Sequence, residues 1–185
     1  TGDMPLSRKS RKKGRKETKN GNIGAEDEAL HKARADALRL LRFRPRSVKE
    51  MAGRLKQKGH PGIVIARTID EFEGKGLLDD KTFAKLWIGD RISLKPAGKS
   101  LIVRELRAKG IGENMIEAAF AEYKGVFDEA ELAAPLARRK IAGLKGLEPE
   151  KAKKKLFDFL SRRGFSYNTI WKVIKDNYDY GPTEE

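Results

Sequence analysis

The chain has 185 residues, no cysteine, and 41 Lys and Arg against 27 Asp and Glu, a net charge of +14. Without cysteine, no disulfide framework, thiolate metal site or cysteine nucleophile is possible, and such a composition suits a reducing cytoplasm. No apolar run approaches a membrane span, and no segment is both basic and broadly apolar, so the cationic excess favours a polyanionic partner such as nucleic acid over a membrane surface.

The charge is uneven. Residues 1–20 hold eight basic and two acidic side chains, leaving 33 against 25 for the remainder. The N-terminal stretch has almost nothing apolar to bury, so residues 1–25 are expected to form a disordered basic arm, solubilising or attracted to anions without specificity. From Glu26 the pattern turns helical: acids open the segment, and Leu30, Ala33, Ala37, Leu38 and Leu41 follow at helical spacing until Pro45. Ser47 to Glu50 reads as a capping box, starting a helix with Val48, Met51 and Leu55 inward and a stop at Gly59. Pro61 opens the next helix, with Ile63, Ile65, Ile69 and Phe72. Asp79 and Asp80 start another that ends before Lys95-Pro96. The only β-branched run, residues 63–65, lies inside a helical period, so the chain reads as all-α.

Aligning the chain on its basic-residue-glycine pairs exposes internal repetition. Around Gly59 stand Met51, Leu55, Lys58, Ile65 and Ile69; around Gly110, Ile102, Leu106, Lys109, Ile116 and Phe120; around Gly164, Leu156, Leu160, Arg163, Ile170 and Ile174. Apolar residues fall at the same offsets on both sides of each glycine, and the glycines lie 51 and 54 residues apart. Each glycine ends one helix in the left-handed conformation and the next begins within a few residues, which forces the pair to pack. A third helix precedes each pair, near 27–43, 79–94 and 128–144, where Pro135 should kink or shorten the last. The expectation is a tandem repeat of three three-helix units, at 26–78 (with a leader), 79–127 and 128–180, in an elongated, curved array.

Nothing in the chain looks catalytic. The segment SLKPAGKS at 93–100 has Ser93 where a phosphate-binding loop needs glycine, and it follows a helix rather than a strand. His31 and His60 lack metal-ligand spacing and read as surface residues; Asp79 and Asp80 suffice as helix-start acids. Phe83 with Trp87, and Phe165 with Trp171, read as core, while Tyr167 and Tyr178 are candidates for exposure. No cofactor or metal site is expected. The cationic runs, by contrast, recur at matching places in the repeats. Arg42, Arg44, Arg46, Arg54 and Lys58 belong to the first, Arg91, Lys99, Arg104, Arg107 and Lys109 to the second, and Arg138, Arg139, Lys154, Arg162 and Arg163 to the third. Along an extended array they would form a positive stripe, the candidate binding surface; of the cations flanking Leu106, some must point outward.

The segments GLLDDKTFAKLW at 76–87, Arg91, and GKSLIVRELRAKGI at 98–111 closely resemble the central signature of the RecX family, regulators of the bacterial RecA recombinase. ALRLLRFRPRSVKEMAGRLKQKG at 37–59 is similar to that family's first repeat, and residues 130–180 match by length and apolar offsets. The resemblance implies tandem three-helix repeats in an elongated, curved, non-enzymatic monomer of the cytoplasm. It implies binding in the groove of the RecA–single-stranded DNA filament, with suppression of ATP hydrolysis, strand exchange and coprotease activity in DNA repair and recombination. The residues themselves leave two alternatives open: a helical module binding single- or double-stranded DNA without sequence preference, or an adaptor for an acidic protein. The acidic, apolar second helix of the middle repeat argues against base readout.

Overall fold

The computed structural model describes residues 20–178, which hold nine α-helices and no strand. In order they are α1 (Asn20–Phe43), α2 (Val48–Gln57), α3 (Gly62–Gly74), α4 (Asp80–Ser93), α5 (Lys99–Ala108), α6 (Glu113–Ala121), α7 (Glu129–Ala142), α8 (Pro149–Arg162) and α9 (Tyr167–Tyr178). The expectation of disorder for residues 1–19 falls outside the described residues, whereas residues 20–25, assigned to the same arm, already belong to α1. The helices pack in consecutive triplets, each around its own core: Met51, Leu55 and Ile69 in the first, Ile102, Leu106 and Ile116 in the second, Leu156, Leu160 and Ile170 in the third. Three separate cores strung along the chain make an elongated array.

The apolar offsets select the core residues. Met51, Leu55, Ile65 and Ile69, their counterparts in the second unit and those in the third are all buried except Phe120, which packs half-buried at the edge. Each central glycine takes positive φ (86° at Gly59, 87° at Gly110, 79° at Gly164) and each helix before it closes the same way. The amide two residues past the cap reaches back to the buried leucine's carbonyl: His60 to Leu55 (3.2 Å), Ile111 to Leu106 (3.0 Å) and Phe165 to Leu160 (3.3 Å).

Several expectations are corrected. Ile63 and Leu38 are exposed, Val64 taking the inward place on α3. Pro135 does not shorten its helix, since α7 spans 14 residues, as α4 does. It sits on the exposed face, where the backbone carbonyl it leaves without an amide partner meets water. Ser47 accepts from the Glu50 amide (3.1 Å), but the Glu50 carboxylate turns elsewhere, so only half of the capping box forms. Trp171 is 45% exposed rather than core, Tyr178 is half-buried against the third core, and His60 is only 11% exposed because its ring meets Asp36 at 3.0 Å.

The glycine turns also join the units. The Ser47 hydroxyl, at the start of α2, donates to the Lys109 carbonyl of the next unit's turn (2.8 Å). At the corresponding place in the second unit, the Gly98 amide donates to the Arg163 carbonyl (2.9 Å), and Ser100 Oγ donates to Gly164 O (2.8 Å). The first helical residue of each following unit caps the same helix from the side: Asp80 accepts from the Val48 amide (2.8 Å) and Glu129 from the Lys99 amide (2.7 Å). Thus the unit that follows takes the Val48 amide at the start of α2 and the Gly98, Lys99 and Ser100 amides at the start of α5, groups that no helix satisfies internally.

Two predictions test this architecture. Leu106→Ala removes the centre of the middle core and should cost about 2–5 kcal/mol by denaturant unfolding. A methyl group on Gly98 would overlap the Gly164 carbonyl and the Phe165 amide nitrogen. Gly98→Ala should therefore open the joint between the second and third units while each unit keeps its helices. Amide exchange at Lys99 and Ser100 should accelerate roughly tenfold or more, while exchange at the Leu106 amide stays slow.

Candidate functional site

The cations proposed for a binding stripe divide into two populations. The first is bonded within the protein. Lys109, on the joint between the first two units, is 16% exposed; its ammonium meets Glu50 Oε1 at 2.7 Å and lies 4.1 Å from the centre of the Trp87 ring. Glu50 also receives both Nη atoms of Arg44, each at 3.0 Å. Burial works to raise the Glu50 carboxyl, but hydrogen bonds from Arg44 and Lys109 outweigh it and hold it at about 2. Arg91, also 16% exposed, forks onto Glu105 (2.7 and 3.0 Å) and stands over Trp87, whose indole N–H donates to the same carboxylate (2.8 Å). Arg163 stacks on Phe159 at 4.9 Å and reaches the Pro96 carbonyl, adding to the second joint. Arg46 donates to the Leu40 carbonyl, Lys58 pairs with Asp36 and Arg107 with Glu113.

The second population is exposed and has no acidic partner among the described residues: Arg42 and Arg54 on the first unit, Lys99 and Arg104 on the second, and Arg138, Arg139, Lys154 and Arg162 on the third. One basic cleft of about 380 Å³ opens at the second joint, where Arg91, Lys95, Arg162 and Arg163 line a wall shared with Glu105 and Phe159. The sequence did not point to a neighbouring feature, a groove at the first joint lined by Leu41, Leu77, Phe83 and Leu86, in which Leu77 and Leu86 are exposed. Among the described residues no three His, Asp or Glu side chains converge as a metal-binding set would, and no helix is long and apolar enough to cross a membrane.

Three family models of RecX match in order: its first three-helix domain over residues 33–72, its second over 79–119 and its third over 128–174. A regulatory protein RecX of Chlorobium limicola is 38% identical over 156 residues, spanning 84% of this chain and 96% of the relative. The chain belongs to the RecX family. The RecX of Thermobifida fusca is 29% identical over 86% of this chain and 85% of its own. A crystal structure of regulatory protein RecX superposes with a TM-score of 0.75 at 26% identity, covering 90% of this chain and 82% of the other. The RecX structure from Lactobacillus salivarius, at 24% identity and TM-score 0.67 over 81% of this chain and 97% of that one, shares the fold. A regulatory role follows from this membership. Much of the signature that carries the RecX resemblance is now seen to build the first joint: Asp80, Trp87, Arg91, Glu105 and Lys109 all lie in it or beside it.

The Glu50 network makes a pH prediction. Its folded carboxyl, held at about 2, lies below the ordinary 4.5, so its contribution to stability is complete above pH 4.5 and fades as pH falls toward 2. Asp80, nearby, is pushed the other way, chiefly by burial, which wild type and variant share; the smaller rise from the Glu50 charge is lost in the variant. Glu50→Gln should lower the urea midpoint clearly at pH 7, and the gap from wild type should narrow steadily below pH 4.5.

Proposed function

We propose that this chain restrains the RecA–single-stranded DNA filament by lying along it as a monomer in the cytoplasm. In this reading it suppresses ATP hydrolysis, strand exchange and coprotease activity without chemistry of its own. The observation that carries the reading is the second population of cations. Charges with no acidic partner recur on all three units of an array whose joints are pinned by backbone hydrogen bonds, and RecX membership supplies the class of target. Exposed cations present on every unit can follow a phosphate-bearing groove, releasing counterions as they bind. The paired cations are poor tests, because reversing Lys109 would put two carboxylates together beside Trp87 and break the first joint.

The test uses Arg104, Arg138 and Arg162, all exposed. DNA-dependent ATP hydrolysis by RecA should fall as wild-type protein is added at or below stoichiometric amounts. The triple Arg→Glu variant, with unchanged helicity and urea midpoint, should need roughly tenfold more protein for the same inhibition, since reversed charge weakens association. Undiminished ATP turnover with excess folded wild type, together with retained affinity for bare DNA, would replace this reading by the plain DNA-binding module.

A further inference from the structure

The third unit carries a surface feature that its own repeat does not require. Phe157 on α8 and Tyr167 and Trp171 on α9 form a closed triangle, with ring centres 6.0, 5.9 and 6.0 Å apart. Tyr167 is 64% exposed and Trp171 45%. Counting from the central glycines, the matching positions are Ala52, Gly62 and Ala66 in the first unit and Val103, Glu113 and Glu117 in the second. Phe157, like Ala52 and Val103, packs partly against its own core, but glycine, alanine and glutamate suffice where Tyr167 and Trp171 stand, so packing of the three-helix unit does not explain those two rings. Large rings left half in water forgo much of what their burial would contribute.

Place and charge indicate an occupant. In the second unit, Val103 and Glu113 face the joint toward the next unit, beside Ser100 and Gly164. The triangle therefore lies on the face where a fourth unit would approach, and no fourth unit follows among the described residues. On α8, Lys153 and Lys154 precede Phe157 by four and three residues; on α9, Lys175 follows Trp171 by four. These spacings bring the lysines onto the rings' side of each helix, while Asp158 and Asp176 are turned further round. Lys153 is held by Glu150 at 3.1 Å, whereas Lys154 and Lys175 have no acidic partner among the described residues. Exposed rings with flanking cations match unstacked bases and their phosphates.

We infer that Phe157, Tyr167 and Trp171 form a stacking platform for one or two bases of single-stranded nucleic acid on the outer face of the third unit. The inference rests on the reading above only in taking single-stranded DNA as the partner, and its test needs no RecA. A fluorescently labelled oligothymidylate and an abasic deoxyribose-phosphate oligomer of the same length would be titrated with the full chain at fixed salt. Wild type should bind the oligothymidylate more tightly than the abasic oligomer. The double variant Tyr167→Ser/Trp171→Ser, folded by circular dichroism, should lose about tenfold to a hundredfold on the oligothymidylate. It should keep its abasic affinity and salt slope, because the phosphate contacts remain. Tyr167→Phe/Trp171→Phe should retain oligothymidylate binding. Equal wild-type affinity for the two oligomers would overturn the platform, and so would a serine variant that binds oligothymidylate as wild type does. If the serine variant instead loses RecA inhibition with its oligothymidylate binding intact, the triangle is a protein contact and the inference fails. A wild type that prefers bases but leaves RecA turnover untouched would refute the regulator reading and leave the platform standing.

Discussion

The arrangement depends on a carbonyl. In each glycine turn the residue before the glycine must end its helix with its carbonyl pointing outward, and the donors that open the preceding unit's second helix (a hydroxyl and an amide in one unit, amides in the other) must find acceptors. The structure meets both needs with the same contact. Lys109 offers its carbonyl to Ser47, Arg163 offers its own to Gly98, and Asp80 and Glu129 take the adjoining amides. Helix-end groups left without partners in a half-buried joint would each cost about 1–3 kcal/mol, so the register between units is specified by hydrogen bonding as well as by packing. Gly98 and Gly164 meet in van der Waals contact at the second joint, where no side chain fits.

The third unit does not repeat this contact. Twelve residues before Gly164, where Ser47 and Gly98 stand in the earlier units, the third unit has Ala152. That residue lies inside α8, and its amide already donates to the Glu148 carbonyl (3.0 Å). No amide is left for a following turn. The Lys58-Gly59-His60 turn faces no preceding unit among the described residues, and α1 supplies Asp36, which pairs with Lys58 and His60 and is itself held below its ordinary range by their hydrogen bonds. The outer faces of the first and third described units thus differ from the joints between units: one spends its donor and the other neutralises its charge.

A basic protein of this composition uses much of its charge on itself. Lys109 and Arg91 occupy half-buried sites with carboxylates and an indole ring, and Arg44 braces the same Glu50 that Lys109 reaches across the first joint. That leaves a smaller set of arginines and lysines facing solvent for a partner. The segments that make the family recognisable belong mostly to the first group, so family resemblance locates the joint better than it locates the binding surface.

The sequence by itself determined the helices, their grouping in threes and nearly all of the core. Those properties follow from the spacing of apolar residues along one helix and from glycines that alone tolerate positive φ, both of which are local. It did not determine which cations are free. Glu50 and Lys109 are 59 residues apart, and their pairing exists only because one unit docks on the next. Nor did it place Trp171, since an aromatic residue near an apolar stripe can face the core or water, and only the packing of α8 against α9 turned it outward beside Tyr167. The repeat register held a clue in the alanine and glutamate at the matching positions. Single-helix periodicity cannot carry that information, because exposure at the end of an array depends on whether another unit follows.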